Sequence, residues 1–315
     1  MDYTSLGRTG LKASVMGLGC GGHSRLGISQ GKGEKAAIEV VHAALDLGIN
    51  YIDTAEAYGT EGIVGQAIKA VKREDVIIST KKSLAKDGKQ VNLRAAELMQ
   101  GLEASLKRLE TDYIDIYNLH GLKARDYDYA LTELVPALER AREQGKIRFI
   151  GVTEAFVEEP AHPMLEMALK DERWEVFMVG FNLLNQTARK NIFPETRARQ
   201  VGVQLMFAVR RALKNFETLK EALGELAQTG QIDPDRFDPE KPLGFLLEDG
   251  KADSLTEAAY RFCRYEPGVE VVLVGTGSID HLKANAASLL KPPLPEADVT
   301  RLKQLFERVE NYTGN

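Results

Sequence analysis

The chain has 315 residues, with 41 Lys and Arg against 46 Asp and Glu and a formal net charge of −5. It therefore lacks the basic character that nucleic acid or an anionic membrane surface selects. Hydrophobic content of 43% with 28% charged residues describes a soluble globular protein, and no apolar run reaches the roughly 18 residues of a membrane span. Only Cys20 and Cys263 are present, far apart and without metal-ligand spacing. With an opening MDYTSLGRTG that has no signal-peptide core, this predicts a reduced, cytoplasmic protein with no disulfide framework and no metal site.

Residues 3–12 carry a Gly-rich turn between short polar-apolar segments, which predicts a small hairpin. Ser14 to Gly19 reads as the first strand of a parallel sheet. It runs into Gly17-Leu18-Gly19-Cys20-Gly21-Gly22, which formally satisfies G-x-G-x-x-G. A dinucleotide fingerprint needs those glycines to open a helix directly and an acidic residue about 20 positions further on. Here helical spacing begins only near Glu34, and Asp53 lies 31 residues past Gly22, so the glycines read instead as a loop passing close to a ligand.

From Glu34, Ala37, Val40, Val41, Ala44 and Leu47 recur at helical spacing until Gly48. The alternation then repeats. Strands are expected at Ile49–Ile52, Asp75–Thr80, Tyr113–Leu119, Ile147–Val152, Val176–Phe181, Gly202–Phe207 and Glu270–Val274. Helices are expected over Gly62–Val71, Asn92–Leu109, Ala130–Glu143, 160–170, 187–200, Lys214–Ala227, Leu255–Tyr265 and Pro295–Glu310. Eight strands with helical crossovers predict an α/β (β/α)8 TIM barrel, one domain over 1–315, with an N-terminal β-hairpin and a C-terminal helix. The Asp-, Pro- and Gly-rich stretch within 208–252 is a connection long enough to suggest a functional loop at the catalytic end.

In such a barrel, catalytic side chains collect at the C-terminal strand ends. Three successive strand-like runs end on Asp53 with Tyr58, on Lys81, and on His120. A phenol is a reluctant acid near neutral pH, and a neighbouring ammonium favours its ionised form. Lys81 and Lys82 compete for that place, and strand alternation turns only one of them inward, Lys81 by position.

The motifs IDTAEAYG at 52–59, STKK at 79–82, YNLHG at 117–121, IGVT at 150–153 and VGTGSIDHLKAN at 274–285 resemble the aldo-keto reductase family. The resemblance runs from about Leu6 to about Leu302, and some segments look closest to aldose or L-galactose dehydrogenase-like members. It implies a catalytic tetrad: Tyr58 as proton donor and acceptor, Lys81 as its charge partner, Asp53 orienting Lys81, and His120 bonding the substrate oxygen or relaying the proton. It also implies a nicotinamide dinucleotide held without a fingerprint helix.

Candidate cofactor contacts are Gly19, Cys20 and Gly21 in the glycine loop, Thr153 and Glu154 beside the carboxamide, and Phe207 stacked on the nicotinamide ring. Arg210 and Arg211, with Gly275, Thr276, Gly277, Ser278, His281 and Asn285, are candidates for the phosphates and adenosine end. The family pattern usually has Ser-Asn where Thr153-Glu154 stands and Gln where Met178 stands. The expected activity is NAD(P)H-dependent interconversion of a carbonyl and an alcohol, with NADP(H) favoured over NAD(H) and a small-molecule carbonyl or alcohol as partner. A cofactor-binding sensor on the same fold, with little turnover, is the alternative class. Neither the physiological substrate nor the oligomeric state follows from the sequence.

Overall fold

The computed structural model describes residues 1–84 and 91–315. Eight parallel strands close into a barrel: β3 (Met16–Gly19), β4 (Tyr51–Asp53), β5 (Ile77–Ser83), β6 (Ile114–Leu122), β7 (Ile147–Glu154), β8 (Val176–Gly180), β9 (Gly202–Met206) and β10 (Val271–Val274), which pairs back onto β3. Before it, β1 (Tyr3–Ser5) and β2 (Lys12–Ser14) form an antiparallel hairpin. Leu6, Leu11 and Ala13 of this hairpin region pack with Ile77, Ile116, Val176 and Val271 and plug the N-terminal end of the barrel.

Outside lie α1 (Glu34–Asp46), α2 (Glu61–Ala67), α3 (Ala95–Leu109), α4 (Tyr127–Tyr129), α5 (Val135–Glu143), α6 (Pro163–Ala168), α7 (Ala188–Asn191), α8 (Phe193–Arg199), α9 (Phe216–Gln228), α10 (Leu255–Arg264), α11 (Ile279–Leu290) and α12 (Glu296–Leu305). Outward-facing strand residues such as Leu18, Ile78, Phe177 and Val179 join the buried faces of these helices in one large apolar cluster. The two-residue period of a strand thus divides each barrel strand between an outer apolar face and an inner face.

The expected helix Ala130–Glu143 is interrupted. Pro136, in the first turn of α5, removes one N–H and crowds the carbonyl four residues back, and Ala130–Leu134 widens into a π turn. Strands β6 and β7 run two to three residues further than apolar content alone marks, because polar residues continue the ladder at the barrel mouth. The 208–252 segment contributes α9 and then short 3-10 turns that cover α12. Between them lies a cavity of about 430 Å³, lined by Phe216, Phe237, Phe245, Arg236 and Arg301 among others and by none of the tetrad candidates. Among the described residues, no helix is long and apolar enough to cross a membrane.

Candidate active site

Alternation decides what the strand ends present. On β5, Lys81 turns inward and is fully buried, while Lys82 turns outward and pairs with Glu56 at 2.6 Å. Lys81 Nζ donates to Asp53 Oδ1 at 2.6 Å, to Asp53 Oδ2 at 2.7 Å and to the Thr54 carbonyl at 2.9 Å. Burial alone would drive Lys81 neutral, but Asp53 and then Tyr58 hold its pKa above the ordinary value. Burial raises the carboxyl of Asp53, against the Lys81 charge and hydrogen bonds from Lys81 and Ser79.

Tyr58 stands on the short turn after β4, its ring centroid 5.2 Å from Lys81 Nζ. The His120 ring meets it edge-on, at 5.7 Å between centroids and 89° between planes. Four of the sequence candidates are thus brought together at one end of the barrel. Burial as well as charge sets their electrostatics. Burial outweighs the Lys81 charge, so the Tyr58 phenol lies above its ordinary pKa rather than below it. His120 is pushed down to about 3 by burial and by the Lys81 charge, so it stays neutral at physiological pH and does not share the titration of Tyr58. Its Nδ1 faces Ser83 Oγ at 3.4 Å.

The glycine loop serves Tyr58 directly. A Cβ built on Gly21 would lie 2.3 Å from Tyr58 Cε2, so only glycine lets the ring rest there. Cys20 is buried, its thiol raised by burial and by Asp53, and its backbone bonds to the Asp53 carbonyl and to Thr60 Oγ1. Gly19 pairs with Asp53 and lies against Gly275, joining β3 to the last strand end.

The other candidates divide between open and internally engaged. Thr153 Oγ1 accepts from the Gly121 N–H at 2.7 Å. Glu154 accepts from the Gly180 N–H at 2.7 Å and faces His162 Nδ1 at 2.8 Å, so its carboxylate is held inside the protein. Met178 is buried on β8, in register with Thr153 and Gln204. Arg211 pairs with Glu221 at 2.6 Å. Phe207 has φ of 70°, uncommon for a bulky residue, and packs edge-on against Phe156 at 5.3 Å. The Arg210 guanidinium lies 4.1 Å from the Phe207 centroid and donates to Asn315 Oδ1.

Beyond β10, Thr276 Oγ1 accepts from the Ser278 N–H, and Ser278 Oγ caps α11 by accepting from the His281 N–H. Lys32, from the β3–α1 loop, donates to the Gly277 carbonyl at 2.6 Å, while His281 is exposed and Asn285 half-buried on α11. Among the described residues, no group of three or more His, Cys, Asp or Glu is placed to hold a metal ion.

Sequence reasoning missed the layer beneath the tetrad. Tyr51, Ser79 and Asn118 each precede a tetrad member, Asp53, Lys81 and His120, by two residues and so share its face. They are fully buried with Gln204 and hydrogen-bonded to one another. The signal was present as polar residues of the same parity inside otherwise apolar strands.

The chain is thus an eight-stranded parallel barrel with Asp53, Lys81, Tyr58 and His120 gathered at one mouth. The aldo/keto reductase family model matches residues 17–307, and the chain belongs to that family. It is 31% identical over 301 residues to aldo-keto reductase YhdN of Bacillus subtilis (strain 168), covering 90% of this chain and 87% of the relative. With L-galactose dehydrogenase of Arabidopsis thaliana it shares 26% identity over 329 residues, covering 99% and 97%. The holo form of aldo-keto reductase AKR11C1 from Bacillus halodurans superposes with a TM-score of 0.75 at 28% identity, covering 97% of this chain and 96% of that one.

Proposed function

We propose that this protein interconverts a carbonyl compound (an aldehyde, ketone or aldose) and the corresponding alcohol, with NAD(P)H as the other reactant and Tyr58 as proton donor and acceptor. The observation that carries the reading is the buried Asp53–Lys81 pair set beside the Tyr58 ring. A nicotinamide cofactor supplies the hydride, which no side chain can.

Reduction needs a proton on the oxygen that hydride addition leaves negative. Tyr58 holds that proton at neutral pH because burial keeps its phenol un-ionised. Lys81 stabilises the phenolate that remains, and it can do so only while Asp53 keeps it charged and aimed. His120, neutral, acts as a hydrogen-bond donor that orients the substrate oxygen. In the oxidative direction the same phenolate accepts the proton of the alcohol.

The open residues fit a dinucleotide. Phe207, held in a left-handed backbone conformation, offers an aromatic face at the mouth, and such local strain collects at functional sites. Arg210 has no carboxylate partner among the described ion pairs, and the α11 N-terminus presents backbone N–H groups suited to a phosphate. Glu154 and Thr153, already engaged internally, are less suited to the carboxamide than the family's Ser-Asn. On these grounds NADP(H) is favoured over NAD(H), with Arg210 beside Phe207 and Lys32 beside Gly277 as candidate cations. Fluorescence titration with both reduced cofactors tests the reading. Tighter NADPH binding is expected; equal or tighter NADH binding removes the preference, and no binding of either removes the oxidoreductase reading.

A further inference from the structure

The barrel core changes character between its plugged end and its mouth. Below are Ile77, Ile116, Val176 and Val271; above are Asp53, Lys81 and His120. Between them lies a buried polar layer of Tyr51, Ser79, Asn118 and Gln204, from β4, β5, β6 and β9. Small residues make room for it. A Cβ on Gly151 would meet Asn118 Oδ1 at 2.2 Å, and one on Gly17 would meet Tyr51 Cδ1 at 3.0 Å. A polar layer inside a barrel that apolar residues would fill is costly unless each group is satisfied.

The hydrogen-bond pattern has one consistent assignment. Asn118 Nδ2 donates to Ser79 Oγ at 3.0 Å and to the Thr80 carbonyl at 3.1 Å, which fixes the orientation of its amide. Gln204 Nε2 donates to Asn118 Oδ1 at 3.3 Å, and Gln204 Oε1 accepts from the Tyr51 hydroxyl at 2.8 Å. Ser79 therefore already accepts one bond and has a single proton to give. Its acceptors include the charged Asp53 Oδ1 at 3.0 Å and the neutral Gln204 Oε1 at 3.4 Å. The shorter contact to a carboxylate is the stronger, and the Tyr51 bond already serves the amide oxygen.

We propose that Ser79 is a positioning residue for the Asp53–Lys81 pair, its one proton committed to Asp53 by the Tyr51–Gln204–Asn118 layer beneath it. Ser79 is fully buried beneath the barrel mouth. It acts by holding the carboxylate ionised and in one orientation, so that Lys81 stays charged beside Tyr58. The link to catalysis rests on the function proposed above; the link to Asp53 does not. The titratable groups facing Asp53 are Lys81 on β5, Tyr51 before it on β4, Tyr58 after it on the following turn, and Cys20 at the end of β3.

The test is the titration of Asp53 itself, followed by ¹³C NMR in protein labelled at the Asp carboxyl carbons, with Asp53→Asn identifying its signal. A hydrogen bond to a charged group accounts for a change of roughly tenfold or more in proton affinity. Ser79→Ala is expected to raise the Asp53 midpoint by about one pH unit. Tyr51→Phe, which keeps the serine but leaves Gln204 Oε1 open to take its proton, should raise the midpoint by a smaller amount. An unchanged midpoint in either folded variant overturns the proposal, and Tyr51→Phe decides alone if Ser79→Ala does not fold. In kinetics, the acidic limb of kcat should move with the midpoint while KM stays. A uniformly lower kcat with an unmoved limb would make Ser79 merely structural. A wild-type protein without carbonyl reductase activity would remove the proposed function and leave the NMR result standing.

Discussion

The Tyr58 ring lies against Gly21, so closely that a Cβ there would come within 2.3 Å of Cε2 and 2.6 Å of Cζ. The glycine loop after β3 and the turn after β4 are therefore fitted to each other at the phenol that the proposed mechanism uses. The close approach is to a ring pinned between this backbone, Lys81 and His120, not to the free end of a flexible chain.

Gly21→Ala should consequently displace Tyr58 without dismantling the barrel. The expected outcome is a loss of carbonyl reduction of at least tenfold, with a thermal midpoint close to wild type. Full activity in the variant would mean that the ring moves freely and that its position does not limit the reaction.

Lys81 and Asp53 form a buried pair with exposures of 0% and 5% for their side chains. Removing one partner of such a pair leaves an uncompensated charge and typically costs about 3–5 kcal/mol. Lys81→Met should show that loss in denaturant unfolding together with a fall in kcat of about 10²- to 10⁴-fold, the usual scale of general acid–base catalysis. A stable variant with near-normal kcat would place the charge partner of Tyr58 elsewhere.

The pH dependence separates His120 from Tyr58. With its pKa at about 3, His120 is neutral from mildly acidic pH upward. No inflection near pH 6.5 is therefore expected in kcat for reduction. Tyr58 lies above its ordinary value of 10.0, so it keeps its proton through neutral pH and loses it only in strong alkali. Reduction, which needs the phenol, should hold through neutral pH and fall only in the alkaline range. A limb near pH 6.5 that disappears in His120→Asn would show that the imidazole titrates in the working range.

Much of this was legible in the sequence because strand ends announce themselves: apolar runs stopped by Asp53, Lys81 and His120 fixed the order of the barrel and the members of its mouth. The choice of Lys81 over Lys82 followed from the two-residue period, and the structure keeps it. Net electrostatics was not legible. The balance between burial and the Lys81 charge at Tyr58 depends on packing from Gly21 and His120, which no spacing reveals. The internal engagement of Glu154 was hidden for a similar reason, since its partners His162 and the Gly180 N–H come from later segments. The polar layer of Tyr51, Ser79, Asn118 and Gln204 left a trace in strand parity, but reading it requires knowing which face of each strand turns inward.

The central claim is that Tyr58 supplies and takes the proton, and kcat in both directions for wild type and Tyr58→Phe tests it most directly. In wild type, reduction should fall and alcohol oxidation should rise through one shared alkaline pKa. The variant should bind reduced cofactor with nearly unchanged affinity yet lose at least about 10²-fold in reduction. If Tyr58→Phe instead retains more than about a tenth of wild-type reduction, a loss well short of what general acid catalysis supplies, another group is the acid and the account is contradicted.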